Sequence, residues 1–402
     1  MIALADGLEA RADEFARLLT AEQGKPLDQA MFEVMGSVFV LRAFATMRPD
    51  RRVIREDEKS LVIEHRTPLG VVAAITPWNF PLILLMNKVG PYLVAGNTMV
   101  TKPAPTTPLT TLLFAEICAR ELPAGVFNVI CDKNELGPSL TSHPDVAKVA
   151  FTGSTATGKK VMQSAATGVK RVTLELGGND AAIVLDDIDV KAVARKVFER
   201  AMSNAGQICV AVKRAYVPEQ IYDAFCDELA RLANAAVVDD GMQQGAEIGP
   251  VQNQTQFEKV KEFLAEASEK GRIIAGGHPL DRPGYFIPPT IVRDLPEDAR
   301  IVAEEQFGPV LPVLSYRDID EVVAKVNAGE FGLAGTVWGN DFDRAMQIAM
   351  RIDSGTVWVN QHLAIDPSLP FRGARQLGLG AELGLDGLHE YTQAHVVNAL
   401  KP

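Results

Sequence analysis

Between residues 70 and 235, short apolar runs alternate with longer segments of helical period, and this rhythm limits the fold more than any other feature. Strands are expected at 70–75, 98–102, 127–130 and 146–151, with helices at 81–93 and 108–122. After Gly177-Gly178 the rhythm restarts, with strands at 181–185 and 214–217 and helices at 190–204 and 221–235. Short buried strands joined by helices of ten or more residues imply parallel sheets with crossover helices, here in two α/β lobes. Ahead of them, residues 5–48 read as helical, broken at Gly24-Lys25-Pro26. Residues 52–66 alternate and are charged, which predicts an exposed hairpin. The alternating segment 391–400 predicts a strand that pairs with the hairpin of a neighbouring subunit.

Composition removes several function classes. The 402 residues carry 40 basic and 51 acidic side chains, a net charge of −11, with no dense basic run. Phosphate neutralisation needs concentrated Lys and Arg, so a general nucleic-acid binder is excluded. The run 69–87 is uncharged and long enough to span a bilayer. Pro77, Asn79 and Pro81 interrupt its centre, so it reads instead as a strand, a turn and a buried helix, and no membrane partner is expected. Cys118, Cys131, Cys209 and Cys226 form no Cys-x-x-Cys pair, and no His lies at zinc-finger spacing. No metal site is expected. With no basic, apolar leader at the N-terminus, a reduced cytoplasmic setting is expected.

Four motifs point to chemistry. Gly153-Ser-Thr-Ala-Thr-Gly158-Lys159-Lys160 resembles a phosphate loop, but Lys160 stands where Ser or Thr would hold Mg²⁺. An NTPase is disfavoured. What survives is a strand-to-helix turn suited to a pyrophosphate, or an ordinary turn. Cys209 follows Gly206-Gln207-Ile208, an approach that bares a thiol for nucleophilic attack, although lone cysteines are more often inert core residues. Glu175 is enclosed by Leu174 and Leu176, where burial would raise its pKa towards that of a general base; the bland alternative is a satisfied cap or ion pair. Asn79, held between two prolines, suits an oxyanion donor or a structural turn.

Taken in order, these segments resemble the aldehyde dehydrogenase superfamily. The matching blocks are TPWNFPL (76–82), Lys88, AGNT (95–98), KPAPTTPL (102–109) and FTGSTATG (151–158). LELGGND (174–180), GQIC (206–209), EEQFGPVLPV (304–313) and GLHEYT (387–392) complete them over nearly the whole chain. The resemblance implies that Cys209 attacks an aldehyde, with Asn79 and the Cys209 N–H holding the oxyanion. Hydride transfer to NAD, with NADP also possible, would leave a thioester, and Glu175 would activate water to hydrolyse it. It further implies that Lys102 contacts the adenosine ribose, Gly153 and Ser154 face the pyrophosphate, Glu305 holds the nicotinamide ribose and Phe307 walls the nicotinamide. Ile75, Trp78 and Leu176 would add backbone or packing contacts. Lys88 would lie near the catalytic site, as a structural ion pair or a proton relay.

The same resemblance sets the expected architecture: two Rossmann-like parallel-sheet lobes plus a small oligomerisation hairpin. Residues 1–50 and 69–177 would form the cofactor-binding domain and 178–385 the catalytic domain. Residues 51–68 and 386–402 would build a homodimer or homotetramer. Three departures from the family pattern stand out. Pro105 occupies the position where NAD-preferring relatives often carry Glu, which removes one barrier to NADP, yet NAD remains favoured because no arginine clamp for a 2′-phosphate can be read nearby. Arg372 and Arg375 replace the usual Gly and Lys; they would favour an acidic aldehyde or, more simply, form surface salt bridges. Relatives also extend before residue 3, so apolar surface is expected on the first helices. A homologue that binds nucleotide with weak or no catalysis is the second reading.

Overall fold

In the computed structural model, which describes residues 1–402, the helical N-terminus breaks where the sequence supplies breakers. Helices α1 (Ile2–Glu9) and α2 (Ala12–Gln23) precede Gly24, whose left-handed φ of 98° ends α2, and α3 (Leu27–Thr46) follows Pro26. The hairpin β1 (Arg52–Glu56) and β2 (Ser60–Pro68) then leaves the body, as its charged alternation requires.

The α/β rhythm follows as β3 (Val71–Ile75), α4 (Ile83–Ala95), β4 (Thr98–Lys102), α5 (Leu109–Glu121), β5 (Phe127–Val129), α6 (Gly137–Ser142), β6 (Val146–Thr152), α7 (Thr155–Ala166) and β7 (Arg171–Glu175). Four residues later the second half begins with β8 (Asp180–Val184), α8 (Val190–Met202), β9 (Val212–Pro218), α9 (Glu219–Ala235) and α10 (Gln254–Lys270). It continues through β10 (Arg272–Ala275), β11 (Thr290–Arg293), α11 (Arg300–Ala303), β12 (Val310–Tyr316), α12 (Ile319–Ala328), β13 (Ala334–Trp338), α13 (Phe342–Ala349) and β14 (Thr356–Val359). The chain closes with β15 (Gly378–Leu379), α14 (Gly384–His389) and β16 (Thr392–Leu400).

These strands form three sheets. The first has the order β15-β7-β6-β3-β4-β5 and is parallel except for β15. The second has the order β10-β11-β12-β9-β8-β13-β14 and is parallel except for β10. Both are covered on both faces, which is why β8 reads as an almost unbroken apolar run. On the first sheet, Phe15, Phe44, Tyr92 and Phe114 fill one side, and Val149, Val161 and Leu174 the other. The second sheet is packed by Val260 and Phe263 on one face and by Val197 and Phe225 on the opposite face.

The third sheet, β1-β2-β16, corrects one expectation. β16 pairs antiparallel with β2 of its own chain, from Thr392 opposite Pro68 to Leu400 opposite Ser60, rather than with a neighbour's hairpin. The cause lies just upstream. Leu388 and Tyr391 are buried in the core beside α4, and the Asn97 side chain donates to the Tyr391 carbonyl at 2.8 Å. That anchor delivers the tail to the edge of β2.

The uncharged run 69–87 resolves into β3, a turn and the start of α4, and no helix is long and apolar enough to cross a membrane. On the first three helices Ile2, Phe32, Met35 and Phe39 are exposed.

Candidate active site

In the first sheet the strand order reverses between β3 and β6, and ligands of open parallel sheets bind in the crevice beyond the carboxyl ends at such a point. Ile75 ends β3 there, flanked in register by Lys102 at the end of β4 and by Phe151 of β6. Trp78, Gly153, Ser154 and Leu176 all lie within three residues of a strand's carboxyl end. Ser154 caps α7, its hydroxyl accepting from the Thr157 N–H at 3.3 Å. The Gly153 N–H is already donated to the Glu175 carbonyl at 3.0 Å, so Gly153 contributes close approach rather than a free donor. Lys159 turns away to Gln376, 2.6 Å distant, instead of reaching over a phosphate. Trp78 meets Phe307 edge-on beside this crevice, with ring centroids 5.4 Å apart.

Cys209 and Glu305 lie just ahead of β9 and β12 of the second sheet, while Glu175 ends β7 and Asn79 follows β3 of the first. Gly177-Gly178 link β7, which ends at Glu175, to β8 and pack against two distant segments. The Gly178 N–H donates to Glu305 at 2.8 Å, and a methyl group at Gly178 would fall 2.0 Å from the Cys209 carbonyl oxygen. A methyl at Gly177 would strike the Glu305 carboxylate at 2.3 Å. Only glycine permits this approach.

Glu175 is buried, and neither of its carboxylate oxygens has a hydrogen-bond partner. Burial first, and the Glu382 carboxylate second, push its pKa well above the usual carboxylate range, against the opposing charges of Lys88 and Arg372. The sequence's alternative of a satisfied cap or ion pair is thereby removed.

Cys209 follows a strained loop in which Asn204, Ala205 and Gly206 are all left-handed, with φ of 50°, 52° and 70°. As a residue Cys209 is partly exposed, though its thiol lies in a buried environment. Burial, then the Glu305 carboxylate, push the thiol up to about 12, so the resting group is protonated. Asn79 meets this loop directly. Its amide donates to the Gln207 carbonyl at 2.8 Å, which leaves the second amide N–H uncommitted, and its own carbonyl accepts from Asn204 at 3.0 Å.

Several supporting residues escaped the sequence reading. The Lys25 ammonium, at the break between α2 and α3, lies 2.5 Å from Glu33, 2.9 Å from the Asn79 carbonyl and 3.6 Å from the Phe80 ring centroid. The other Glu33 oxygen accepts from the N–H groups of Leu82 and Ile83 at 2.9 and 3.2 Å. This fully buried pair fixes the turn that presents Asn79. Its signal was available, since Glu33 is the only acidic residue between 29 and 47. Removing one partner leaves an uncompensated buried charge, so Glu33→Gln is expected to destabilise the fold by about 3–5 kcal/mol in urea unfolding. A loss under 1 kcal/mol would contradict this role.

Lys88 forms a second buried pair, 2.5 Å from Glu382 and 2.6 Å from the Thr152 hydroxyl. Lys102 lies 2.7 Å from Asp132 and 3.2 Å from the Asn134 side chain, and the Lys102 and Asp132 side chains are each only 4% exposed. Burial works against the Asp132 charge, but Lys102 and the N–H groups of Leu136 and Asn134 outweigh it and hold the pKa below the ordinary range.

Neither arginine of the C-terminal signature is free. Arg372 pairs with Asp386, while Arg375 lies 2.7 Å from Asp353 and also donates to the carbonyls of Gly329 and Phe331. The salt-bridge reading of these residues describes both.

The sequence profile described as the aldehyde dehydrogenase family matches residues 1–397. Among characterised proteins, the NADP(+) succinate-semialdehyde dehydrogenase GabD of Escherichia coli K12 is 39% identical over 391 residues, covering 95% of this chain and 80% of its own. Phenylacetaldehyde dehydrogenase of Pseudomonas fluorescens is 40% identical over 408 residues, covering 98% and 81%. The NAD+ complex of an aldehyde dehydrogenase from Bacillus cereus superposes with a TM-score of 0.96 at 35% identity, covering 99% of this chain and 82% of that one.

Proposed function

The chain belongs to the aldehyde dehydrogenase family, and from that premise we propose that it oxidises an aldehyde to the carboxylic acid with NAD, using Cys209 as nucleophile and Glu175 as general base. The observation that supports this most is the unpartnered Glu175 carboxylate, buried on the same glycine link that packs against Cys209.

The steps follow from what each group can do. With its thiol favoured at rest, Cys209 must give up a proton before it attacks, and Glu175 is the carboxylate with both oxygens free to take it. Attack on the carbonyl carbon forms a thiohemiacetal oxyanion, for which the Asn79 amide and the Cys209 N–H are the available donors. One such donor stabilises the transition state by roughly 3 kcal/mol. A bound NAD would supply the acceptor for the hydride that leaves the thiohemiacetal carbon, so that a thioester would remain on Cys209. Glu175 loses the first proton to solvent, takes a second from water as it adds to the thioester, and returns that proton to the departing Cys209 sulfur. The acid product ionises to the carboxylate and its proton goes to solvent. Trp78 and Phe307 would keep bulk water from one side of the reacting carbon, and Glu305 and Lys102 would orient the two riboses of a bound NAD.

Absorbance of reduced nicotinamide, read with aliphatic, aromatic and semialdehyde substrates and with NAD and NADP in turn, tests the reading. Turnover is expected on at least one aldehyde. Silence from folded protein that binds nucleotide would favour the non-catalytic homologue.

The preference for NAD rests on Asp132. Pro105 removes a carboxylate from the ribose site, but Asp132 supplies one from the loop after β5, against the same lysine. A carboxylate there accepts from a ribose 2′-hydroxyl and repels a 2′-phosphate. Asp132→Ser is expected to raise kcat/KM for NADP by about tenfold or more relative to NAD. An unchanged ratio would sink this assignment.

A further inference from the structure

One buried charge beside the nucleophile has no part in the steps above. Lys213, the second residue of β9, is 1% exposed, yet its ammonium is held by carbonyls. It donates to Gly206 at 3.3 Å and to Ile208, the residues that bracket the approach to Cys209, and lies 5.1 Å from the Phe307 ring centroid. The Ile208 carbonyl accepts a second bond, from the Ala211 N–H at 3.1 Å.

The Ile208–Cys209 peptide is the link that matters. In a trans peptide the carbonyl and the N–H point in opposite directions. Lys213 grips the carbonyl side, so the Cys209 N–H faces away from it, and that N–H has no acceptor within the chain. A donor on the carbonyl also polarises the amide and strengthens its N–H as a donor. A cation buried behind the loop likewise favours negative charge on the sulfur ahead of it.

We propose that Lys213 is the positioning residue of the nucleophile: it locks the Ile208–Cys209 peptide with its N–H free for the oxyanion and supplies the positive charge that favours the Cys209 thiolate. The surroundings make that charge necessary. Burial, Glu305 ahead of β12, Asp180 from the start of β8 and Glu175 from the end of β7 disfavour a thiolate, and Lys213 opposes them. Burial pulls the Lys213 pKa itself down, and Glu305 and Asp180 support its charge. Lys259 of α10 faces the back of the same cluster and donates to the Glu305 carbonyl at 3.0 Å. His362 contacts the Val210 carbonyl at 2.6 Å, and burial brings its pKa down to about 4, so it adds no charge near neutrality.

The inference rests on Cys209 being the nucleophile, and the two ideas fail separately. The test is the rate of Cys209 alkylation by iodoacetamide against pH, followed on the Cys209 peptide by mass spectrometry, in wild type, Lys213→Gln and Lys213→Arg. The Gln variant keeps a donor for the carbonyls and loses the charge. Its alkylation midpoint is expected to rise by about one pH unit, which slows reaction near neutrality about tenfold, while nucleotide binding is retained. The Arg variant is expected to keep the wild-type midpoint. Should Lys213→Gln not fold, Lys213→Met, neutral and of similar length, takes its place. A neutral variant whose profile superimposes on wild type would overturn the proposal, as would an Arg variant displaced as far as the neutral one. If instead Cys209→Ala still turned over aldehyde, the nucleophile assignment would fall while the alkylation result stood.

Discussion

Cys209→Ala is expected to lower aldehyde oxidation by on the order of 10⁴-fold or more while nucleotide binding survives, because removing a covalent nucleophile removes the pathway rather than one interaction along it. The substitution is mild for the fold. The residue is partly exposed, and the hydrogen bonds that shape its loop come from Asn79, Asn204, Gln207 and Lys213, not from the sulfur. A variant that binds NAD with unchanged affinity and yields no reduced nicotinamide separates chemistry from binding. Residual turnover within tenfold of wild type would move the nucleophile elsewhere; Cys131, which is exposed, would be the first thiol to test.

Glu175→Gln carries the second large effect, and it acts on a different step. The amide keeps the shape of the side chain but cannot take a proton from water, so thioester hydrolysis is expected to slow by about 10²–10⁴-fold. Rapid mixing should show at most one equivalent of reduced nicotinamide per subunit, followed by a near-silent steady state. Stability moves the other way. The folded pKa of Glu175 is raised, so as pH climbs above the ordinary carboxylate range the unfolded chain loses this proton while the folded chain keeps it. That difference favours the unfolded state and grows until the folded pKa is reached. Glu175→Gln removes it. The variant should therefore match wild type below the ordinary carboxylate range and become progressively more stable than wild type above it, as read by urea midpoints at several pH values. Equal stability at every pH would mean that Glu175 is solvated in the working enzyme.

Much of this was legible locally. Strands such as Thr98–Lys102 and Val146–Thr152 announce themselves as short apolar runs, and their parallel pairing follows from the helices between them. Cys209, Glu175 and Asn79 could be named because each sits beside glycines or prolines that only a demanding backbone needs. The gaps have physical causes. No element was assigned across 236–390, where strands shrink to four residues, as in Thr290–Arg293 and Thr356–Val359, and where Pro312 inside β12 reads as a breaker.

The charged partners were missed for another reason. Lys88 and Glu382 are 294 positions apart, and Lys102 and Asp132 come from neighbouring strand ends, so no local pattern joins them. The tail strand was identified correctly but given the wrong partner, because alternation says that a strand will pair and not with which edge.

The most direct test of the account is the intact mass of Glu175→Gln after incubation with an aldehyde and NAD. A covalent acyl adduct on the peptide that contains Cys209, formed together with about one equivalent of reduced nicotinamide per subunit, is the predicted result. Folded protein that binds NAD yet shows neither the adduct nor reduced nicotinamide, with an aldehyde that wild type oxidises, would contradict it.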